Sequence, residues 1–287
     1  MEKDIVIVGH SNPDIDSILS GIILSKYLVY KGYKARYVIP DKSIDKEVEK
    51  VLNHFKIDFR AYQEDIPENS SLILVDHHET VHKNEVLAVI DHHPTIKEFN
   101  YPVYINKKAS STTKVVYDTI VKEGDLEFFT KDTIELVVVG ILIDTCSFKS
   151  SKTNPDDIDW SETVCTILNI DLDKLKEIGY CLTDTSDITK SAVNGFKEFK
   201  YGDKVVRTSY IQCSSFDFEI INEHIDFLQD IVIEEGIYMW MFMAIDVPHE
   251  KTIEYRIYPD EVDEFHYKGI VSRGATIMPN IEKSLAN

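Results

Sequence analysis

Two triplets, Asp76-His77-His78 and Asp91-His92-His93, each close an apolar run, Leu72-Ile73-Leu74-Val75 and Val86-Leu87-Ala88-Val89-Ile90. Near the N-terminus, Gly9-His10-Ser11-Asn12-Pro13-Asp14-Ile15-Asp16-Ser17 places an imidazole and two carboxylates in one turn, and Asp144 ends Gly140-Ile141-Leu142-Ile143. Loops that cradle phosphate directly are glycine-rich and offer N–H groups. These stretches offer oxygen and nitrogen donors instead, as a divalent cation requires. Carboxylates converging without cations would repel one another until some protonated, so bound metal is the expected resolution, and two ions fit better than one. A donor set of many carboxylates and few imidazoles suits Mn²⁺, and Mg²⁺ or Co²⁺ as well, over a thiolate-seeking ion. Two such ions about 3.5–4 Å apart hold a bridging hydroxide for in-line attack on phosphorus.

The elements that must position these residues read as alternating strands and helices. Asp4–Gly9 is a short apolar, β-branched run, the pattern of a strand covered on both faces. A helix follows over about 14–30, stopped by Gly32, then a strand over 36–40, a helix over 44–55, strands over 71–75 and 86–90, and helices over 110–121 and 130–140. The fold class is α/β: a doubly wound, mostly parallel sheet over residues 1–185, with a smaller α+β domain over 195–287. Ligands of such sheets gather at the carboxyl ends of strands. The reading places His10, Asp14, Asp16, Asp76, His92 and Asp144 at such strand ends. His54, His82, His224, His249 and His266 lack this company and are read as surface residues, and 184–194 as a linker.

Composition narrows the partners. With 31 Lys+Arg against 50 Asp+Glu, the formal charge of −19 repels nucleic-acid backbones and anionic membranes. Four scattered cysteines make no metal knuckle or disulfide framework, there is no basic-then-apolar leader, and no apolar run approaches a membrane span. The expectation is a cytoplasmic protein acting on a small molecule, without nucleic acid or membrane.

The loop at His10, the triplet at Asp91, Ile143-Asp144-Thr145 with Phe148-Lys149-Ser150, and Val271-Ser272-Arg273 together resemble the DHH phosphoesterases, specifically the DHH–DHHA2 branch of manganese-dependent (family II) inorganic pyrophosphatases and cytosolic exopolyphosphatases. The resemblance covers essentially the whole chain. It implies metal ligation by His10, Asp14, Asp16, Asp76, His92 and Asp144, with Asp76 and Asp144 shared between two Mn²⁺ ions and counted among the catalytic residues. It implies that His93 contacts substrate phosphate and acts as an acid toward the leaving group. By the same resemblance Lys197, in Phe196-Lys197-Glu198-Phe199, and Arg273 bind phosphate, and the chain forms a homodimer through an edge strand.

Two positions depart from that pattern. The pyrophosphatases commonly read Ser-Arg-Lys where this chain has Ser272-Arg273-Gly274, and their first triplet is commonly Asp-His-Asn where this chain has Asp76-His77-His78. The leading expectation is hydrolysis of inorganic pyrophosphate to two phosphates. The alternatives are an exopolyphosphatase or phosphodiesterase acting on short polyphosphates or nucleotides, and a non-catalytic phosphate-ligand regulator.

Overall fold

The computed structural model describes residues 4–95 and 98–285, and the chain divides into two compact units: 1–148 with 153–179, and 149–152 with 180–287. The first unit contains β1 (Ile5–Val8), α1 (Ile15–Tyr30), β2 (Ala35–Val38), α2 (Lys46–His54), β3 (Ser71–Val75), β4 (Glu85–Asp91), β5 (Val103–Asn106), α3 (Thr112–Lys122), α4 (Lys131–Asp144), α5 (Pro155–Leu168) and α6 (Leu172–Ile178). Its five strands are all parallel, in the order β2-β1-β3-β4-β5. Parallel strands are covered on both faces, which is why Val6, Ile7, Val8, Leu72 and Leu74 are apolar without alternation and at most 2% exposed.

Because β1, β3 and β4 are parallel neighbours, their carboxyl ends open on the same edge. Gly9-His10 follows β1, Asp76 follows β3, and His92-His93 follows β4. Asp144 departs from the expected placement: it is the last residue of α4, a helix, rather than the end of a strand. Ile141-Leu142-Ile143 is buried or half-buried all round, and a short apolar run covered on every side has no period that separates strand from helix. Six described strands and α-helices, β5, α5, α7 (Ile188–Ser191), β6 (Lys197–Tyr201), β10 (Val262–Lys268) and the closing helix α9 (Met278–Leu285), also lie where no element was expected. The start of α5 was legible in principle, since Asn154 caps it by accepting from the Asp156 amide and Pro155 stands at its first position.

The second unit holds α7 (Ile188–Ser191), β6 (Lys197–Tyr201), β7 (Lys204–Cys213), α8 (Phe218–Glu235), β8 (Met239–Asp246), β9 (Lys251–Ile257), β10 and α9. Its sheet runs β10-β9-β8-β7-β6 and is mixed: β7 and β8 are parallel and the other neighbours antiparallel. α8 lays Ile221, Ile225, Leu228 and Val232 against Trp240, Phe242, Ala244 and Tyr255. The stretch 184–194 is not a linker, because it contains α7 and buries Ala192 fully in this core. Nor is His224 a surface residue. It stands on the buried face of α8, stacks on Phe242, and has both ring nitrogens within 2.7 Å of partners, the Ile220 carbonyl and the Ser191 hydroxyl.

α3 and α4 are in close contact at Gly140, where an added Cβ would stand 2.2 Å from Thr113 Oγ1 and 2.9 Å from Thr113 Cβ. Alanine favours a helix interior by about 1 kcal/mol over glycine, but forcing a methyl into a packed contact costs about 1–3 kcal/mol. Gly140→Ala is therefore expected to lower unfolding stability in urea titrations. A gain in stability would mean that Thr113 yields freely.

Candidate metal centre

The strand ends deliver their side chains through local caps and turns. Asp14 caps α1, accepting from the Ser17 amide at 3.0 Å, and Asp16 sits in the helix's first turn. Asp76 leaves β3 with φ 65°, a left-handed conformation that aspartate tolerates better than most residues. This turns its carboxylate under the edge, where it is 2% exposed. Asp144 places a carboxylate at the negative end of the α4 dipole, an arrangement that favours a neighbouring cation.

The structure brings together the seven first-unit residues singled out in the sequence. Three overlapping groups have donor atoms within 4.8 Å of one another: His10 with Asp14 and Asp76, Asp16 with His92 and Asp144, and Asp76 with His92 and His93. Asp76 faces two ways, with Oδ2 3.4 Å from His10 Nε2 and Oδ1 3.7 Å from His92 Nε2. His92 Nε2 also lies 3.3 Å from Asp144 Oδ2 and 4.0 Å from Asp16 Oδ2.

The donor chemistry fits a divalent cation on two counts. His10 and His92 each bond a main-chain carbonyl through Nδ1, Ser11 at 2.9 Å and Ala109 at 3.2 Å. A carbonyl can only accept, so each Nδ1 carries a proton, and the neutral ring that a cation would select has its lone pair on Nε2, the nitrogen facing the carboxylates, the tautomer of a metal-binding histidine. In addition, Asp76 Oδ2 is buried without a hydrogen bond. A buried anionic oxygen in that state is costly unless a cation reaches it.

Three supporting roles were missed by sequence reasoning. Asp91, the first letter of the second triplet, is fully buried and is in none of the three groups. Its Oδ1 accepts from the His92 and His93 amides at 2.7 and 3.1 Å and from His93 Nδ1 at 2.9 Å, so it orients the two histidines. His78, the departure in the first triplet, likewise stands outside the groups: its Nδ1 is 2.6 Å from Asp91 Oδ2 and its ring stacks on Phe99. Thr112 and Thr113 bind Asp16 and Asp76 from the start of α3. A Ser-Ser-Thr-Thr run before a helix signals a cap, and nothing in that signal names the carboxylates it holds.

The phosphate-binding residues expected from resemblance lie in the second unit. Lys197 opens β6 opposite Thr208 on β7. The Thr208 hydroxyl donates to the Lys197 carbonyl at 3.4 Å and accepts from Arg273 Nη1 at 3.3 Å, so the two residues meet around it. Arg273 also donates to the Gly195 carbonyl and lies over the Tyr210 ring at 5.7 Å. Lys149 pairs with Glu250 at 2.9 Å.

Crowding governs the charges. Burial together with Asp76, Asp144 and Asp14 pushes Asp16 well above the usual carboxylate range, although the Thr113 amide pulls the other way. Burial opposes ionisation of His10, yet Asp14 and Asp76 outweigh it and hold the imidazole well above its usual value. His93 is raised in the same way against its own burial, by Asp91, Asp76 and Asp144. Groups whose folded pKa is raised give stability that is complete below the unfolded pKa and is lost as pH climbs through the folded one. With chelator present, the melting temperature is therefore expected to fall as pH rises above about 6.5, the onset set by His10 and His93, while Asp16 has the same sign from about pH 4 upward. Mn²⁺ competes with those protons, so the stabilisation it gives should grow with pH. A chelator-treated protein that gains stability as pH rises above that onset would contradict this electrostatic account.

Comparison with known proteins agrees with this geometry. Residues 4–141 match the model of the DHH family, N-terminal domain. A Bacillus cereus protein named a probable manganese-dependent inorganic pyrophosphatase is 26% identical over 304 residues, covering 97% of each chain. A Clostridium acetobutylicum protein of the same name is 26% identical over 236 residues, 78% of this chain and 74% of its own. Among solved structures, a Methanococcus jannaschii protein assigned to the family II inorganic pyrophosphatases shares the fold with a TM-score of 0.75 at 24% identity, covering 99% of this chain and 100% of that one. An exopolyphosphatase-related protein of Bacteroides fragilis has a TM-score of 0.53 at 14% identity, covering 99% of this chain and 94% of its own. The ligand-bearing strand ends, the five-stranded parallel sheet and the match to the DHH family, N-terminal domain, all fall on the same segment, residues 4–141.

Proposed function

We propose that this protein is a metal-dependent hydrolase of phosphoanhydride bonds, with inorganic pyrophosphate as its substrate and two Mn²⁺ ions as its cofactor. The observation that carries the reading is the sharing of donors. Asp76 and His92 each belong to two of the three groups, so the seven residues make one continuous double site rather than separate single ones. His10, Asp14 and Asp76 would hold one cation, and Asp16, His92 and Asp144, again with Asp76, the other. When bound, the pair would supply Lewis acidity toward phosphoryl oxygens and acidify a water nucleophile.

The chain's own groups complete the chemistry. His93 is tied through Nδ1 to Asp91, which leaves Nε2 as the atom that holds the movable proton. Its raised pKa keeps that proton in place further up the pH scale, as a group donating to a leaving phosphate requires. Its side chain is 39% exposed, so substrate can reach it, whereas the His92 side chain is 6% exposed. Lys197 and Arg273 supply the charge-assisted phosphate contacts.

One observation favours longer or bulkier anhydrides as a second reading. Gly274, where the pyrophosphatases commonly carry lysine, is exposed, and a Cβ built there meets nothing within 4 Å. The position therefore neither needs glycine for space nor holds a cation.

Phosphate release from pyrophosphate, triphosphate, longer polyphosphate and a cyclic dinucleotide by Mn²⁺-loaded protein tests the reading. Pyrophosphate is expected to dominate, and Asp144→Ala to reduce the rate by about 10³-fold or more, the scale of removing an essential catalytic group. Retained activity in that variant would end the double-site model, and a dominant rate on longer chains would shift the substrate. Gly274→Lys is expected to lower KM for pyrophosphate by about tenfold, the order of one charge-assisted contact. Unchanged KM values across the panel would show that the glycine does not set chain-length preference.

A further inference from the structure

Asp16 and Asp76 reach the centre from different elements, α1 and the end of β3, yet both are bound by one residue of a third. The Thr112 amide donates to Asp16 Oδ2 at 2.6 Å while its hydroxyl donates to Asp76 Oδ1 at 2.8 Å. The neighbouring Thr113 amide takes the second Asp16 oxygen at 2.9 Å, so Asp16 is gripped through both oxygens by the first amides of α3. Thr112, Asp16 and Asp76 are each at most 2% exposed, so bulk solvent does not compete for these bonds.

We infer that Thr112 is a positioning residue that sets the separation of these two carboxylates and so preforms the double site for a pair of cations. The inference rests on the proposed reading in one respect, that Asp16 and Asp76 are metal ligands. The main-chain half of the device survives any substitution at 112. The hydroxyl half does not. Donation to Oδ1 holds the Asp76 carboxylate in a single rotation, with Oδ2 directed toward His10 and Asp14 and without a hydrogen bond of its own. Without that donor the carboxylate is free to swing, and its two oxygens no longer face the two groups at once. The side-chain amides and hydroxyls around metal ligands commonly change affinity by about 10–100-fold when removed.

The test compares Thr112→Val, which keeps the shape and removes the hydroxyl, with Thr112→Ser, which keeps the hydroxyl and removes the methyl. Mn²⁺ titration of the full chain by calorimetry and by electron paramagnetic resonance reads affinity and stoichiometry without any turnover. The expectation is an Mn²⁺ affinity about tenfold or more weaker in the valine variant, with the weaker of the two binding steps most affected, and an affinity within about threefold of the parent in the serine variant. Melting in chelator checks that both variants fold, and should valine fail there, Thr112→Ala against serine makes the same comparison. Parent-like binding by the valine variant overturns the inference, as does an equal loss in the serine variant, which would assign the effect to the methyl's packing. A parent protein that binds two Mn²⁺ ions but hydrolyses no anhydride would sink the proposed activity and leave Thr112's role standing. A parent that binds no Mn²⁺ would sink both.

Discussion

Everything around the centre answers to one constraint, the mutual repulsion of Asp14, Asp16, Asp76 and Asp144 at the edge of a parallel sheet. At an interior dielectric, unit charges a few ångströms apart interact far more strongly than at the surface, and Asp16 and Asp76 are at most 2% exposed. The chain opposes the repulsion with what it has. Imidazoles stand between the carboxylates, His10 between Asp14 and Asp76, and His92 between Asp76, Asp16 and Asp144. Backbone amides of α3 grip Asp16. These devices reduce the tension without removing it, since Asp16 still stands well above its usual pKa. Divalent cations complete such a set, and this is the physical link between the fold and the proposed chemistry.

The site is built in layers. The donors themselves follow strands, open α1 or, in the case of Asp144, close α4. Behind them stand residues with no reach to a cation: Asp91, which aligns His92 and His93, and Thr112, which joins Asp16 to Asp76. Behind those again come the close helix contacts, such as Gly140 against Thr113, that hold the amide-bearing end of α3 where it must be. Precision of this kind depends on rigid elements, and a donor set at strand ends inherits the rigidity of a sheet whose core strands are almost entirely buried.

The second unit follows a different logic. Its mixed sheet is a platform covered by α8, and the Arg273 guanidinium and the main-chain carbonyl of Lys197 meet at the hydroxyl of Thr208. Arg273 is already committed to main-chain and ring partners within the unit. That fixes the guanidinium's direction and leaves the rest of its fork as the phosphate-facing part in the proposed function. The substitutions that distinguish this chain from the pattern it resembles fall outside the donor set: His78 leans on Asp91, and Gly274 stands in open space.

The sequence by itself determined the strand-and-helix alternation and the strands β1, β3 and β4, and it singled out the seven first-unit residues that the fold brings together, because buried parallel strands read as unbroken apolar runs and chemistry-bearing residues just beyond them stand out. It did not reveal that Asp144 ends a helix, since an apolar run buried all round has no period to read. It could not separate Asp91, an orienting residue, from the histidines beside it, because the difference lies in which way each side chain points once β4 is paired. Nor could it show that His224 is buried or that Thr112 serves two carboxylates, one of them 96 residues away in the chain. Such contacts exist only after the sheet has closed, when packing rather than local pattern decides which polar groups face one another.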